Sequence, residues 1–496
     1  MTPSSQSTLE QEVKFRVSDA FALPDLGGHG LRQIAGASRS LDTTYWDTAD
    51  MRLARRGHTL RYRESDDGSK NQWTLKLGGR DDSPLWQRRE VDREGEPDSP
   101  PEAIVDALLG VTEGRALAAV ARMRSDQHRA WVEDSEGQRL LTVEDDRVAV
   151  IERNRLAGSF REVEVELTDA TQGRPALRRA IRVLRHAAAG EPDPTPKLVR
   201  ALGSVAEREA APALRRKATI EELVRFTVRD GLDQLLLHDP AVRLDLGPED
   251  VHQARIATRR LRANLRTLRP LLDRRTVEDL RKEIRWAGQI LGKVRDLDVL
   301  RESFAHSLEG ATTSDGAALV AAVDAERAAA HRCLVDEMRT PRWQSMLHLI
   351  DAAAVLPPLR TTIAPTSEAS DAAHSLLRKS WRRLERRVAT ASASPTGWHE
   401  VRKAAKSTRY AAETFEPLLG RDTRPLARSA ERIQTRLGRD QDNVIARGWL
   451  EDHSRAGPIA ATAQQLVQHY AGDDGKRPRN WKKLWQQARR SARTIT

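Results

Sequence analysis

Several features are scarce or absent in this 496-residue sequence. It contains one cysteine, Cys333, which excludes an intramolecular disulfide framework and is typical of a reducing compartment. No uninterrupted apolar run is long enough to span a bilayer, and the first residues lack the apolar core of a secretory signal. Aromatic residues make up 4% of the chain, so platforms for stacking bases are few. We therefore expect a soluble, cytoplasmic protein with no membrane partner and no nucleic-acid partner.

Charge is distributed unevenly along the chain. The 83 Lys and Arg residues exceed the 72 Asp and Glu residues, which gives a net charge of +11. Residues 1–202 hold 31 basic and 34 acidic residues, whereas the rest of the chain holds 52 and 38. A chain of this length needs two or three domains. The basic second part predicts a polyanionic partner, whether nucleic acid, polyphosphate or an anionic membrane surface.

The first part has the period-two apolar pattern of β-strands. Turn residues separate several of these segments, which favours antiparallel hairpins. Two short helices are predicted at residues 101–109 and 175–188, and a proline-rich connection at 190–196. The predicted strands are residues 10–17, 59–64, 72–77, 86–92, 129–133, 139–144 and 160–167.

From residue 218 the period changes to 3.6, and Leu/Ala/Arg-rich helices follow one another. His252 in VHQARIATRRLR has a counterpart in His399 of WHEVRKAAKSTR, and the Leu-Gly pair of LGKVRDLDVL recurs in LGRDQDNVIA at nearly the same offset. Such a repeat predicts a duplicated helical bundle. We expect domains at residues 1–202 and 218–490, a linker at 203–217, and two repeats at about 218–351 and 373–490.

Charged residues recur at every second position of the predicted strands, opposite apolar ones. Glu10, Glu12 and Lys14 share one sheet face, and so do Glu162, Glu164 and Glu166. A solvated outer face explains any one of these patterns. If the strands close into a barrel with this face inward, both signs of charge would meet in one cavity. Metal-bound polyphosphate needs both, because carboxylates hold Mg²⁺ or Mn²⁺ and cations take the phosphate oxygens.

This ordered set resembles the CYTH family, the triphosphate tunnel metalloenzymes. The resemblance rests on Glu10-x-Glu12-x-Lys14 and, in order, on Arg61-x-Arg63, Trp73-Thr74-x-Lys76, Arg88-x-Glu90, Arg122-x-Arg124, Asp145, Glu164-x-Glu166 and Lys197. It implies an eight-stranded antiparallel β-tunnel that hydrolyses a linear triphosphate, most simply inorganic tripolyphosphate, with Mg²⁺ or Mn²⁺.

Residue roles follow from the same resemblance. Four glutamates would be catalytic, and together with two further acidic residues they would hold the metal. One of these two lies in the run Glu144-Asp145-Asp146, where the position of the metal ligand stays open by one residue. The implied metal ligands are Glu10, Glu12, Glu90, Asp145, Glu164 and Glu166, of which Glu10, Glu12, Glu164 and Glu166 are the catalytic ones. The implied phosphate ligands are Lys14, Arg61, Arg63, Lys76, Arg88, Arg122, Arg124 and Lys197.

A basic stripe follows each of the two histidine-bearing helices. At roughly 100° per residue the basic positions fall on one side and the apolar ones opposite. Like charges on one stripe repel unless an anion neutralises them, whereas a solvated face usually mixes signs. The stripe residues are His252, Arg255, Arg259, Arg262 and Arg266 in the first helix and His399, Arg402, Lys406 and Arg409 in the second.

These helices resemble the CHAD domain, a histidine-containing helical module. The resemblance implies a pair of helical bundles with a basic cavity that binds inorganic polyphosphate, and it would allow association with polyphosphate granules. Asp296 and Asp442 are expected to orient basic side chains, since carboxylates repel phosphate. Altogether the sequence predicts an α+β multidomain enzyme with a β-tunnel followed by an all-α duplicated bundle. Thiamine triphosphate hydrolysis, adenylyl cyclisation and non-catalytic polyphosphate binding remain alternatives.

Overall fold

A computed structural model describes residues 7–69, 71–79, 86–169, 171–206, 213–308, 314–391, 395–455, 459–470 and 480–493. The chain divides into two compact units. The first comprises residues 1–209 and 239–246, and the second comprises residues 210–238 and 247–496. Six of the fifteen residues of the predicted linker at 203–217, namely 207–212, lie outside the described residues.

Eight antiparallel strands of the first unit close into a barrel, as predicted. Their order around the barrel is β1-β5-β4-β3-β2-β6-β7-β8. The strands are β1 (Ser7–Val17), β2 (Arg32–Asp47), β3 (Thr59–Ser65), β4 (Gln72–Lys76), β5 (Trp86–Arg93), β6 (Ala118–Glu133), β7 (Arg139–Glu152) and β8 (Arg155–Leu167). The helices of this unit are α1 (Arg52–Arg55), α2 (Glu102–Thr112), α3 (Gly173–His186) and α4 (Lys197–Leu202).

Strand β2 was not among the predicted strands, and its irregular backbone explains why. Its pairing with β6 shifts register between Ala35 and Ser38, and again between Tyr45 and Trp46. Such bulges interrupt the period-two alternation from which a strand is predicted. Residues 32–40 also contain one glycine and two alanines, which are weak strand formers. Strand β2, the longer of the two neighbours of β6 in the barrel, was therefore not predicted from the sequence.

The apolar cores of the first unit lie outside the barrel, between its strands and the helices. Phe15 and Val163 pack with Leu184 of α3, while Leu60 and Leu108 belong to a second cluster that includes α2. Each fully buried side chain of this kind contributes roughly 1.5–3 kcal/mol. Since the apolar face points outward under helices, the opposite, charged face of the strands is turned into the barrel.

The second unit is helical, and its helices form two successive sets with similar arrangement. In each set a long hairpin carries the histidine helix and the Leu-Gly helix. Among the described residues, no helix is both long enough and apolar enough to traverse a bilayer. The helices are α5 (Ile220–Arg243), α6 (Pro248–Leu268), α7 (Arg274–Ser307), α8 (Ser314–Arg339), α9 (Pro341–Val355), α10 (Ala369–Ala389), α11 (Pro395–Leu419), α12 (Arg424–His453), α13 (Ala460–His469) and α14 (Trp481–Ala492).

Candidate active site and polyanion site

The barrel encloses a cavity of about 180 Å³, which we call the tunnel. Side chains from β1, β2, β3, β4, β5, β6, β7, β8 and α4 line it, and most of them are charged. Both signs of charge therefore share one small volume. The charged lining residues are Glu10, Lys14, Arg39, Arg61, Arg63, Lys76, Arg88, Glu90, Arg129, Glu144, Glu164, Glu166 and Lys197.

Two lysines neutralise part of the acidic lining. Lys14 Nζ lies 2.6 Å from Glu164 Oε1 and 3.0 Å from Glu12 Oε1, and Lys76 Nζ donates to Glu10 at 2.8 Å and pairs with Glu90. Burial by itself raises the pKa of Glu10, but the neighbouring lysines lower it to about 2. Burial opposes the charge of Lys14, yet the surrounding carboxylates raise its pKa above the ordinary value. Ionised groups of both signs are thus maintained inside the barrel.

Glu166 is a tunnel carboxylate without such compensation. In the described part of the chain, no cation forms an ion pair with it. In the β1–β8 register it lies directly opposite Glu12, and like charges at such positions repel. Burial, then the carboxylates of Glu10 and Glu144, raise the pKa of Glu166 to about 8. Negative potential at this end of the tunnel is therefore unbalanced, which is the condition that a bound cation relieves.

A second acidic group lies behind the first, where α4 meets β7 and β8. Carboxylate oxygens of Asp146, Glu162 and Glu164 lie within 4.8 Å of one another, and all three residues are buried. Lys197 Nζ lies 2.5 Å from Asp146 and 3.1 Å from both glutamates. Arg200 adds a pair with Glu162 at 3.1 Å. In this arrangement Lys197 neutralises carboxylates, and because it also lines the tunnel, its contact with phosphate stays a prediction.

The opposite wall of the tunnel is basic. The Nε atoms of Arg61 and Arg63 are buried and donate no hydrogen bond to another part of the described chain. Burial, then the neighbouring Arg61 guanidinium, lowers the pKa of Arg63. Unsatisfied buried donors are costly unless a ligand accepts from them. This wall is therefore suited to the oxygens of an anion.

Three of the predicted tunnel ligands lie elsewhere, and each prediction has to be corrected. Asp145 pairs with Arg161 through bonds of 2.8 and 2.6 Å, on the outer side of β7. Arg122 and Arg124 are 49% and 62% exposed and share the carboxylate of Asp42 on the outside of β6. In each strand the side chains that point into the tunnel belong to the residues next to the predicted ones, because successive side chains point to opposite faces.

Among the inward residues of these strands, Gln127 and Arg129 were not predicted as ligands, whereas Glu144 and Asp146 are the neighbours of Asp145 that the sequence left open. Gln127 Nε2 donates to Glu144 at 3.0 Å and to Asp146 at 2.8 Å, and Arg129 donates to Glu144 at 2.7 Å. Arg39, on the unpredicted strand β2, donates to Gln127 at 2.6 Å. The alternation of side chains along each strand could have identified these inward residues. Val132 and Val143 belong to the apolar outer face, so residues an even number of positions away from them also point outward.

The acidic residues of the tunnel fit a hard divalent cation. Such ions prefer carboxylate oxygens, and the tunnel offers several from different strands within reach of one another. The uncompensated carboxylate of Glu166 and its register with Glu12 supply the charge that would hold it. The donor set contains no cysteine or histidine among the described lining residues, which favours Mg²⁺ or Mn²⁺ over zinc.

The second unit contains a cavity of about 570 Å³ with a different character. We call it the first basic cavity. Eight Lys or Arg side chains and both histidines of the repeat line it, whereas Asp296 is the one carboxylate among the described lining residues. These cationic lining residues are His252, Arg255, Arg259, Arg262, Arg285, Lys293, Arg295, His399, Arg402 and Lys406.

The same close approach of an arginine to a helix glycine occurs in both repeats at this cavity. Arg255 Nη1 donates to the carbonyl oxygen of Gly292 at 2.6 Å and to Asp296 at 2.8 Å. A Cβ at Gly292 would lie 3.1 Å from Arg255, and a Cβ at Gly438 would lie 3.1 Å from Arg402. The glycine of each Leu-Gly pair thus makes room for the arginine three residues after the histidine. The side chain of Asp442 lies outside the described residues.

Two residues of the predicted stripes lie outside the first basic cavity. Arg266 lines a separate cavity further along α6. Arg409 pairs with Glu413 at 2.7 Å and with Glu431 at 2.9 Å, so its charge is satisfied within the protein. The helical rise explains both results, because residues on one stripe are spread along the axis and meet different neighbours.

A closed barrel with carboxylates on one wall and arginines on the other defines the class of triphosphate tunnel folds. Comparison with known families agrees: the CYTH domain matches residues 8–198, and the CHAD domain matches residues 227–451. The chain therefore consists of a CYTH domain followed by a CHAD domain. The CYTH family implies a triphosphate substrate and a divalent metal.

Individual relatives resemble the whole chain or one of its parts. The uncharacterized protein Rv2226 of Mycobacterium tuberculosis (strain ATCC 25618 / H37Rv) is 28% identical over 476 residues, which cover 90% of this chain and 89% of that protein. The crystal structure of the CHAD domain from Ricinus communis covers 57% of this chain and 96% of its own, with 24% identity and a TM-score of 0.48. The HpAC1 structure from Hippeastrum covers 38% and 93%, with 19% identity and a TM-score of 0.25.

Proposed function

We propose that the barrel hydrolyses a linear triphosphate, with inorganic tripolyphosphate as the simplest substrate, and that the helical unit binds inorganic polyphosphate. The observation that carries the enzymatic part is the two-sided tunnel. Carboxylates of β1 and β8 lie opposite unsatisfied arginine donors of β3 in about 180 Å³. A site that only held phosphate would not need so many acids, because they repel the ligand.

Glu10, Glu12, Glu164 and Glu166 would hold the divalent metal, and Asp146 and Glu162 support them from behind. A bound metal supplies charge neutralisation of the phosphoryl group and activation of water. The residues of this chain do the rest: Arg61, Arg63 and Arg88 bind and orient the phosphate oxygens, and Lys14 and Lys76 keep Glu164 and Glu10 ionised. One of the clustered glutamates accepts the proton of the attacking water.

The enzymatic proposal is tested with the full chain. Phosphate release from tripolyphosphate, ATP and thiamine triphosphate is measured with Mg²⁺ and with Mn²⁺, alongside formation of a cyclic product from ATP. We expect metal-dependent hydrolysis of tripolyphosphate, and a loss of roughly 100- to 1000-fold in Glu10→Gln/Glu12→Gln, since preorganised charge contributes that much to catalysis. No metal-dependent turnover of any substrate would rule the enzyme out, and cyclic product from ATP would identify a cyclase.

The binding part of the proposal rests on the first basic cavity, whose described lining contains eight Lys or Arg residues and one carboxylate. A flexible anion with a charge on every unit neutralises such a surface most simply. Few aromatic side chains are available for bases, which favours polyphosphate over nucleic acid.

Polyphosphate affinity of the full chain tests this part. Arg259→Glu/Arg262→Glu should abolish binding, whereas Arg274→Glu/Arg275→Glu, an equal change of charge at exposed positions of α7, should leave most of it. Duplex DNA is the competing ligand. Equal affinity for duplex DNA at physiological salt would remove the case for polyphosphate.

A further inference from the structure

A second basic cavity lies beside the first in the helical unit. Its volume is about 630 Å³, and it is formed by the C-terminal end of α6 together with α10 and α11. None of its described lining residues is a carboxylate. Its basic lining residues are Arg266, Arg269, Lys379, Arg383, Arg386 and Arg387.

The two repeats differ at the helix that forms this cavity. Helix α10 contains six basic and two acidic residues, whereas α5, its counterpart in the first repeat, contains three basic and five acidic ones. A solvated helix usually intersperses both signs to gain i,i+4 pairs. The excess on α10 is therefore specific to one repeat, and four of its six basic residues line the second cavity.

Acidic residues compensate part of the positive charge in the second cavity: Arg269 pairs with Glu278 at 3.4 Å, although no carboxylate is among the described lining residues. Burial, followed by Arg383 and Arg281, lowers the pKa of Arg266 to about 10. Glu400 offsets part of this field, but it also pairs with Lys403 at 3.0 Å and with Arg387 at 3.8 Å. Guanidinium groups repel each other here, which is the condition that a bound anion relieves.

Charge is continuous between the two cavities. Arg262 lines the first and Arg266 the second, one helical turn apart on α6. Arg281 of α7 acts on both, since it lowers the pKa of each of these arginines. From Arg255 to Arg269 the basic positions of α6 extend over roughly 21 Å at 1.5 Å per residue. Three phosphate units joined by two bridging oxygens are too short to cover that length.

We propose that the two cavities form one continuous track, and that a single long polyphosphate chain binds along it from the first basic cavity to the arginines of α10. This inference rests on the proposed binding of polyphosphate and adds to it a selection for chain length. Short phosphate chains fill the first cavity alone, whereas long chains also neutralise Lys379 and Arg383. Affinity should therefore rise with chain length beyond that of tripolyphosphate.

The test uses the full chain and two double variants of α10 with the same loss of charge. Lys379→Ala/Arg383→Ala removes two lining residues, whereas Arg378→Ala/Arg382→Ala removes two exposed ones outside the cavity lining. Affinity is measured for tripolyphosphate and for long-chain polyphosphate without divalent metal and in an Arg61→Ala/Arg63→Ala background, which removes the tunnel as a competing site for the short chain. Thermal unfolding is the control for folding. We expect the first variant to bind the long chain about tenfold more weakly, in line with two lost charge-assisted contacts partly replaced by water.

Each of the other outcomes supports or contradicts the continuous track. Tripolyphosphate affinity should be unchanged in both variants, and long-chain affinity should be nearly unchanged in Arg378→Ala/Arg382→Ala. Equal long-chain affinity in the two variants would overturn the continuous track. An equal loss for short and long chains in Lys379→Ala/Arg383→Ala would instead mark a separate short-chain site. Failure of the wild type to bind any polyphosphate would contradict the proposed function itself.

Discussion

The tunnel and the first basic cavity are both suited to phosphate, but they differ in how charge is balanced. The tunnel neutralises much of its own charge, with lysines such as Lys14 held between glutamates. The first basic cavity contains one sign of charge and leaves neutralisation to its ligand. Chemistry on a phosphate needs both signs in place beforehand, so that nothing has to reorganise during the reaction. Retention of a phosphate chain needs only a positive surface, which can accept anions of many lengths.

The largest effect expected from this comparison concerns the position of the acidic ligand on β7. Asp146→Asn should lower hydrolysis of tripolyphosphate about 100-fold, because it removes an inward carboxylate from the group around Lys197. Asp145→Asn is the matched control: it should cost about 3 kcal/mol of stability by breaking the buried pair with Arg161, while the folded enzyme keeps its activity. Steady-state kinetics and urea unfolding separate the two. The reverse pattern would restore Asp145 as the ligand.

A smaller effect is expected at the glycine that makes room for Arg255. Gly292→Ala should weaken polyphosphate binding about fivefold, equivalent to about 1 kcal/mol, because the new Cβ would displace the guanidinium. Stability should not fall, since alanine favours helix over glycine. Gly448→Ala, in open space on α12, gives the control: about 1 kcal/mol more stability with unchanged affinity. Unaltered affinity in Gly292→Ala would show that the arginine does not need this space.

The first basic cavity should also respond to pH through His252. Burial, followed by Arg295, lowers its pKa, with Arg259 and Arg255 acting in the same direction and Glu249 opposing them. Without ligand, stability should therefore fall as pH drops below the ordinary histidine value, because the unfolded chain takes up the proton first.

Bound polyphosphate reverses that preference and favours the protonated ring. Affinity should thus increase about threefold between pH of about 7 and about 5.5, and His252→Gln should reduce the increase, with His399 left as the other histidine of the cavity. The measurement is the dissociation constant against pH for the wild type and the variant, which carry the same remaining titratable groups. Parallel profiles would exclude His252 from the binding surface.

The smallest effect is expected outside the barrel. Arg122→Ala/Arg124→Ala should leave kcat/KM for tripolyphosphate within about twofold and reduce stability by about 0.2–1 kcal/mol, as exposed ion pairs usually do. Arg61→Ala, the tunnel counterpart, should reduce kcat/KM far more. A large kinetic effect of the outer pair would mean that β6 turns its other face inward when substrate binds.

Much of this organisation could be predicted from the sequence, and the errors have a common cause. The two units and the histidine repeat follow from charge distribution and periodicity, and the eight-stranded barrel follows from the resemblance to the CYTH family. Asp145, Arg122 and Arg124 were misplaced because motif spacing was followed without checking parity against neighbouring apolar residues such as Val132 and Val143. Arg39 could not be found in this way, since bulges interrupt its strand. The second basic cavity escaped prediction because it combines α6 with α10, whose positions are far apart in sequence.

The contact of Lys197 and Arg200 with the carboxylates of β7 and β8 has a consequence for the order of folding. These two cations follow all eight strands in sequence, so during synthesis the strands emerge while Asp146 and Glu162 still lack their cationic partners and Glu164 has only Lys14. Buried carboxylates without cations oppose closure of the barrel. The barrel can therefore complete its folding on the ribosome only once residue 200 has left the exit channel. A chain that ends before residue 197 would keep all eight strands but lose the two cations, Lys197 and Arg200, that neutralise these carboxylates in the closed barrel.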